Sequence, residues 1–317
     1  MSLAPYVRIL GRGPGRARAF TRDEASAAMA LMLKGADAEA VGAILMLLRM
    51  KGETAEEIAG FASAARQALP PLPKADLDWP SYAAGRTRGL PWFLLSARLV
   101  ARAGFRVVLH GWNGPDGAVR AGLRSLQVAE TACPDTMARA LDRDGLAYAP
   151  LERLSPALFD LLRLRDVLGL RSCINTVCRM LNPTAARASV QGVFHPSYRL
   201  LQADAAQHLG WRGLSVIKGG GGEFERHPSK DVHAFGLRDG RAWEATYPAL
   251  SDQVQRLSDE TADPQALADI WAGSRAAPFA ETIILGTAAL ALDTLGVAQP
   301  DRMAQDLWQN RHSVKAA

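Results

Sequence analysis

Cysteine is nearly missing from this 317-residue sequence. Cys133, Cys173 and Cys178 are odd in number, and the C-x4-C spacing of the last two has no third or fourth ligand nearby. A disulfide framework and a zinc site are therefore set aside in favour of buried free thiols. Long apolar runs are missing too: nothing approaches the roughly 18 uninterrupted residues of a membrane span. The opening MSLAPYVRILGRGPGRARAF has neither the apolar core nor the small-residue cleavage site of a secretory signal. The expectation is a cytoplasmic protein with no membrane partner. Ser-His-Asp, H-E-x-x-H, Walker A and Rossmann G-x-G-x-x-G signatures are all lacking, which removes the enzyme classes they mark.

Lysine is scarce, at six of 37 basic residues, so the formal charge of +5 is carried by arginine. Such a balance permits polyanion binding without demanding it, because an arginine-rich surface is equally served by solvation and ion pairing. Position says more than the total. Arg8, Arg12, Arg16, Arg18 and Arg22 lie among glycines, with Asp23 and Glu24 closing the run. A basic arm attracts phosphate backbones; a surface strap facing water is the alternative.

With 48% hydrophobic residues the chain can bury a large core and is long enough for one large domain plus a smaller one. From Thr21 to Leu69 apolar residues recur at helical spacing: Ala25, Met29, Met32, Leu33; Val41, Ile44, Leu45, Leu48; Ile58, Phe61, Ala65. Three amphipathic helices follow, opened by the capping boxes Thr21/Glu24 and Thr54/Glu57, with Gly35 and Gly52 ending the first two. The proline cluster from Leu69 to Pro80 reads as a boundary. Beyond it a helix from Pro91 to Gly104 leads to a buried strand, Phe105 to His110. Further strands are expected at 188–193, 212–218 and 231–237, the last turning through Arg238-Asp239-Gly240 into 241–246. Helices are expected at 196–208, 263–273 and 279–295. Alternating strands and helices after an all-helical start give an α/β domain with a central, mostly parallel sheet and a small N-terminal α-helical domain.

Two constellations stand at predicted strand ends, where open α/β sheets place their ligands, and a third at a helix start. His110-Gly111 follows the first strand; a histidine there is either a ligand contact or structural. Gly85-Arg86-Thr87-Arg88-Gly89 feeds the Pro91 helix, and backbone N–H groups at a helix start favour an anion. A plain connecting loop is the alternative. Lys218 and four glycines, Gly219 to Gly222, precede Glu223. Such a run costs backbone entropy and calls for close approach to a ligand, or else is a mobile loop. Glu225, Arg226, His227 and Lys230 follow it.

The segment 168–197, LGLRSCINTVCRMLNPTAARASVQGVFHPS, resembles the linker and substrate strand of anthranilate phosphoribosyltransferases, and the helical run from Arg22 to Arg66 resembles that family's opening domain. The resemblance covers almost the whole chain. It implies a helical domain over 1–72 with linker helices 155–185 packed on it, an α/β domain over 73–154 and 186–317, and a homodimer through the N-terminal helices. Arg171 stands where the family's arginine holds the aromatic substrate's carboxylate, and Asn182-Pro183 matches the turn that follows. His110 and Gly111 match a Lys-His-Gly-Asn-Arg strand end in which Leu109 replaces the lysine.

The family's pyrophosphate loop, Gly-Thr-Gly-Gly-Asp, is replaced here by YAAGRTRG, Tyr82 to Gly89. Its magnesium-holding Asp-Glu pair falls on Phe224 and Glu225, leaving Glu225 alone as a metal candidate. No cofactor is expected, magnesium entering only with transferase activity. The anion-binding set is then Gly85, Arg86, Arg88, His110, Gly111, Arg171, Lys218, Gly220 and Gly221, with no catalytic residue assigned.

A nearer likeness is to the YbiB-type branch, which lacks that loop and binds nucleic acid as dimers. It is carried by Ile9 to Gly13, Pro80-Ser81-Tyr82 with Gly85-Arg86, and Val193 to Tyr198. The main expectation is thus phosphate-led binding of DNA or RNA through a basic groove of Arg12, Arg16, Arg18, Arg86, Arg88, Lys218, Arg226 and Lys230. The alternative is an active phosphoribosyltransferase with rewired anion-binding residues.

Overall fold

The computed structural model describes residues 2–13, 15–83, 89–114, 117–252 and 263–312. It opens with four helices, α1 (Ala4–Gly11), α2 (Arg22–Leu33), α3 (Ala38–Lys51) and α4 (Ala55–Gln67). Both predicted capping boxes form: Thr21 accepts from the Glu24 amide at 3.2 Å while Glu24 accepts from the Thr21 amide at 2.9 Å, and Thr54 with Glu57 repeats the pair. Glu57 does more than cap. Wholly buried, it also accepts from the Phe20 amide at 2.8 Å and from Lys51 Nζ at 2.8 Å, so one carboxylate ties the chain before α2 to the α3–α4 turn. Gly60 lets α2 and α4 touch, because a Cβ there would lie 2.3 Å from the Arg22 carbonyl oxygen.

The larger part of the fold is an eight-stranded sheet among the described residues: β1 (Leu77–Ser81), β2 (Val107–Gly111), β3 (Ala129–Glu130), β4 (Leu146–Pro150), β5 (Ala188–Val193), β6 (Gly213–Lys218), β7 (Val232–Arg238) and β8 (Arg241–Tyr247). The order is β3-β4-β2-β1-β5-β6-β7-β8, parallel through β6 and antiparallel at the last two pairings. Fold class and architecture are those expected.

The proline cluster differs from expectation, since β1 lies inside it at the centre of the sheet. Pro80 is tolerated near the strand's end, and Leu77 and Trp79 are wholly buried. β4, LAYAP, is short and alanine-rich and gave no run to read. The β7–β8 hairpin turns through Asp239 and Gly240, both at positive φ (50° and 77°), as a two-residue loop of this kind requires.

Alternation sorts the strands onto two cores. Leu77, Trp79, Leu109, Tyr148 and Val190 pack against the helix Phe93–Arg102 (α5) and the helix Pro278–Thr294. The opposite face joins the helical bundle, with the short helix Ile174–Arg179 packed on α4. That face also carries Asp78, His110, Ser189 and Gln191, all buried. No helix among the described residues is long and apolar enough to cross a membrane.

Replacing Glu57 by Gln turns one N–H donor of the new amide toward donors that now meet a carboxylate. Urea denaturation should show a loss of about 2 kcal/mol, with the secondary structure unchanged in the absence of urea. A variant as stable as the parent would show that the three contacts of Glu57 contribute nothing net.

Candidate functional site

The C-terminal ends of β1, β2, β5 and β6 converge, and one guanidinium joins three of them. Arg179 ends the helix Ile174–Arg179 and is buried. Its Nε donates to the Gly192 carbonyl at the end of β5 (3.0 Å). Its Nη2 donates to the Tyr82 carbonyl just past β1 (3.0 Å) and to the Gly222 carbonyl past β6 (3.4 Å). Nη1 is held by the Asn175 side chain. Burial pulls this guanidinium below the ordinary arginine value, against the opposing charge of Glu223.

The glycine run after β6 has a reason in the protein's own backbone. A Cβ on Gly219 would lie 1.5 Å from the Glu223 carbonyl oxygen, and one on Gly192 would lie 2.0 Å from the Glu223 carbonyl carbon. Gly221 and Gly222 take positive φ, 63° and 100°. The loop folds back so tightly that Glu223 and Glu225 enter the interior. Glu223 Oε1 accepts from the Ala83 amide at 2.9 Å, and Glu225 Oε2 accepts from the Phe93 amide at 3.0 Å, at the start of α5. Two carboxylates thus cap backbone donors where an anion was expected.

Burial raises both carboxyls, Glu223 to about 7 against the relief given by Arg179 and the Ala83 and Ser81 donors, and Glu225 to about 8 against its backbone donors. The space beside them, bounded by Gly89, Leu90, Pro91 and Gly220, is about 10 Å³, room for about one water molecule.

His110 and Gly111 are brought here but face inward. The imidazole is fully buried, with Nε2 3.1 Å from Asp78 Oδ1 and Nδ1 2.9 Å from the Tyr82 hydroxyl; Asp78 in turn accepts from Ser189 at 2.7 Å. Gly111 is required by packing, since a Cβ would sit 1.9 Å from the Ser81 carbonyl oxygen. Lys218 is exposed at the end of β6. Gly85, Arg86 and Arg88 lie outside the described residues.

Arg171 lines a cavity of about 630 Å³ between the helical part and the sheet's C-terminal edge. Arg49, Arg165, Arg179, Tyr198 and Gln202 share its wall. Arg49 Nη1 donates to the Arg171 carbonyl at 2.6 Å, which fixes the backbone from which Arg171 projects. Arg179 and Gln202 were missed by sequence reasoning, because what makes them notable is their relation to backbone atoms of distant loops or to the cavity itself. A basic residue in the apolar run INTVCRML was the one signal available for Arg179.

Comparison with known proteins places this geometry. Residues 4–69 match the family described as "Glycosyl transferase family, helical bundle domain". An anthranilate phosphoribosyltransferase of an Anaeromyxobacter species is 31% identical, the alignment covering 88% of this chain and 86% of that protein. Anthranilate phosphoribosyltransferase 2 of Streptomyces coelicolor is 29% identical, over 89% and 87%. Among solved structures, the anthranilate phosphoribosyltransferase of Thermus thermophilus superposes with a TM-score of 0.81 at 22% identity, covering 97% of this chain and 94% of that one. The Saccharomyces cerevisiae enzyme in complex with PRPP and Mg gives a TM-score of 0.76 at 16% identity, covering 98% and 93%.

These findings correct the main functional expectation. Relatives and structural neighbours are phosphoribosyltransferases, which favours the transferase alternative over nucleic-acid binding. The surface agrees. Arg226, expected in the basic groove, is only 3% exposed, donates from Nη2 to the Pro248 carbonyl at 2.6 Å and lies over the Tyr247 ring. A side chain so placed cannot meet a phosphate backbone. Arg18 is held by Glu24 at 2.6 and 2.7 Å, and Arg22 caps the His208 carbonyl at 2.8 Å. Arg12, Arg16 and Lys230 are exposed.

Two outcomes test this site. Arg179→Met leaves the carbonyls of Tyr82, Gly192 and Gly222 without their donor and Glu223 without the charge that favours its ionised form, and should cost about 3–5 kcal/mol of stability in chemical denaturation. The raised carboxyls give a second expectation. Both hold their proton to higher pH folded than unfolded, where 4.5 is ordinary, so the folded state binds more protons between 4.5 and about 8. Stability should therefore fall as pH rises through that window and level off above it, and Glu225→Gln should flatten the slope. A midpoint that climbs over the same range would contradict the burial of these groups.

Proposed function

The chain belongs to the anthranilate phosphoribosyltransferase family, and we propose that it is a working phosphoribosyltransferase that passes a ribosyl phosphate unit to an aromatic amino acid. The observation that carries this is the 630 Å³ cavity with Arg171 on its wall, at the strand ends where the fold places ligands. Arg171 supplies a guanidinium fork for the acceptor's carboxylate, orienting its nitrogen toward the ribosyl carbon. Nitrogen–carbon bond formation and departure of diphosphate complete the transfer, with the proton leaving the nitrogen for solvent. The departing diphosphate needs cationic stabilisation, and the reading assigns it to Arg86 and Arg88 of the loop before Gly89.

Kinship with the YbiB-type branch belongs to the same reading, as far as the altered loop goes. So does a homodimer through the N-terminal helices, which size-exclusion chromatography checks.

Magnesium fits this chain poorly. The ion wants several oxygens, typically one or two ionised carboxylates together with phosphate oxygens. Glu223 and Glu225 are each committed to a backbone amide, hold their protons to about 7 and about 8, and border a space of about 10 Å³. Among the described residues no group of three or more His, Cys, Asp or Glu side chains is arranged for a metal. No step is derived through the ion.

The test is calorimetric titration with phosphoribosyl diphosphate in EDTA and in magnesium, followed by chromatography of a mixture with anthranilate. Saturable donor binding in both buffers and a phosphoribosylated amine are expected. Arg171→Ala should raise the acceptor KM about 10- to 100-fold, the cost of a charge-assisted hydrogen-bond pair. Absence of donor binding in either buffer defeats the proposal.

A further inference from the structure

A second cavity, of about 620 Å³, lies at the opposite end of the sheet from Arg171, where the segments leading into β2, β3 and β4 meet the ends of the helices Phe93–Arg102, Ala118–Ser125 and Pro134–Asp144. Its wall carries Arg98 and Arg102, four residues apart and so on one face of α5, together with Arg106 and Arg143, and the only acids among them are Asp142 and Asp144. Both aspartates are taken, Asp142 by Arg106 and Asp144 by Arg143 at 2.6 Å. Arg98 is different. Its half-buried guanidinium lies over the Trp271 ring, 4.8 Å from the centroid, and Nη1 donates to the Leu126 carbonyl at 3.0 Å, yet among the described residues no carboxylate forms an ion pair with it. Burial pulls this group below the ordinary arginine value, against the charge of Asp144. A guanidinium has five donors, so most of its bonding capacity faces the cavity unused.

Helix C-termini attract cations, which accounts for the arginines but not for Gln127. The helix Ala118–Ser125 closes with the Gln127 amide donating to the Arg124 carbonyl and the Val128 amide to the Leu123 carbonyl, both at 2.9 Å, and this places Gln127 in the left-handed region at φ 54°. The helices Pro134–Asp144, Pro156–Leu168 and Gln265–Ala272 give the same conformation to Gly145, Gly169 and Gly273. A side chain at such a position costs stability, and the one of Gln127 is exposed on the cavity wall. Strain held beside a charged cavity points to a ligand.

We propose that this cavity is a second ligand site, for a small phosphate monoester whose phosphoryl oxygens accept hydrogen bonds from Arg98 and from the Gln127 amide, with Arg102 adding charge one turn along α5. Four arginines against two aspartates leave two positive charges, which match a phosphate monoester near pH 7 and exceed what a simple carboxylate needs. The volume lies within the roughly 300–1,000 Å³ of small-molecule sites. Because the strands separate this site from the one at Arg171, the inference does not depend on the transferase reading.

The probe is inorganic phosphate, titrated calorimetrically into the full chain. Saturable binding with Kd on the order of 1 mM is expected, and acetate, a single charge of similar fork geometry, should bind at least about tenfold more weakly. Arg98→Met should weaken phosphate by about tenfold or more. Gln127→Gly separates the two roles open to that residue: relief of the left-handed strain should raise the urea midpoint, while loss of the amide should weaken phosphate about threefold or more. A glycine variant that is more stable and binds phosphate as tightly as the parent would reduce Gln127 to a helix cap and overturn the proposal. Failure of the parent protein to saturate, acetate binding as tightly as phosphate, or phosphate binding undiminished in Arg98→Met also overturns it, the last because the anion is then held elsewhere, the site at Arg171 included. Gln127→Gly is expected to fold more firmly than the parent, so the test stands even if Arg98→Met fails to fold.

Discussion

Everything at the strand ends depends on the buried guanidinium of Arg179. Parallel strands leave their C-terminal loops without partners in the sheet, and the loops after β1, β5 and β6 must be held by something else if they are to form one surface. Arg179 does this from a fourth element, reaching the carbonyls of Tyr82, Gly192 and Gly222. A planar group with five donors suits the task in a way that a lysine ammonium does not. Its charge is buried, and Glu223, when ionised, offsets part of the cost of that burial. The glycines at 192 and 219 then follow from Glu223, since neither leaves room for a Cβ beside it.

The same carboxylate settles how the backbone amides at this end of the sheet are satisfied. In an open α/β fold the N–H groups at the start of a helix after a central strand are available to an anionic ligand. Here the amides of Ala83 and Phe93 already have carboxylates as partners. Satisfying buried donors internally keeps the region folded in the absence of ligand, and it changes what a ligand must do. An anion seeking either amide has to displace a carboxyl group, whereas Arg171 stands on the wall of an open cavity.

Much of the fold was legible, and the reason is locality. Thr21 with Glu24 and Thr54 with Glu57 announce helix starts within four residues, and β2 and β6 are mostly apolar runs of the kind buried parallel strands require. β1 was hidden by Pro73 and Pro80, because proline near a strand end and proline in a linker look alike in sequence. The site was far less legible. His110 carries the look of a ligand contact, yet Asp78 and Tyr82 enclose its ring. Four consecutive glycines signal a close approach, but not that the approaching atoms belong to Glu223. Charge alone misled most: Arg226 reads as part of a basic patch and is an interior residue, because its partners, Pro248 and Tyr247, lie some twenty positions on.

Arg171 and Arg179 show why residue type underdetermines role. Both are arginines on the short linker, eight positions apart, and both line the same cavity. Arg179 is immobilised by backbone carbonyls on three sides, so its charge serves the frame and its pull on a ligand is already offset by Glu223. Arg171 is set at the cavity wall by a bond to its backbone carbonyl, made by Arg49. Fixing a residue through its backbone sets where its side chain starts, which is the part of preorganisation that the frame supplies. One arginine is consumed by the architecture so that the other can be presented by it.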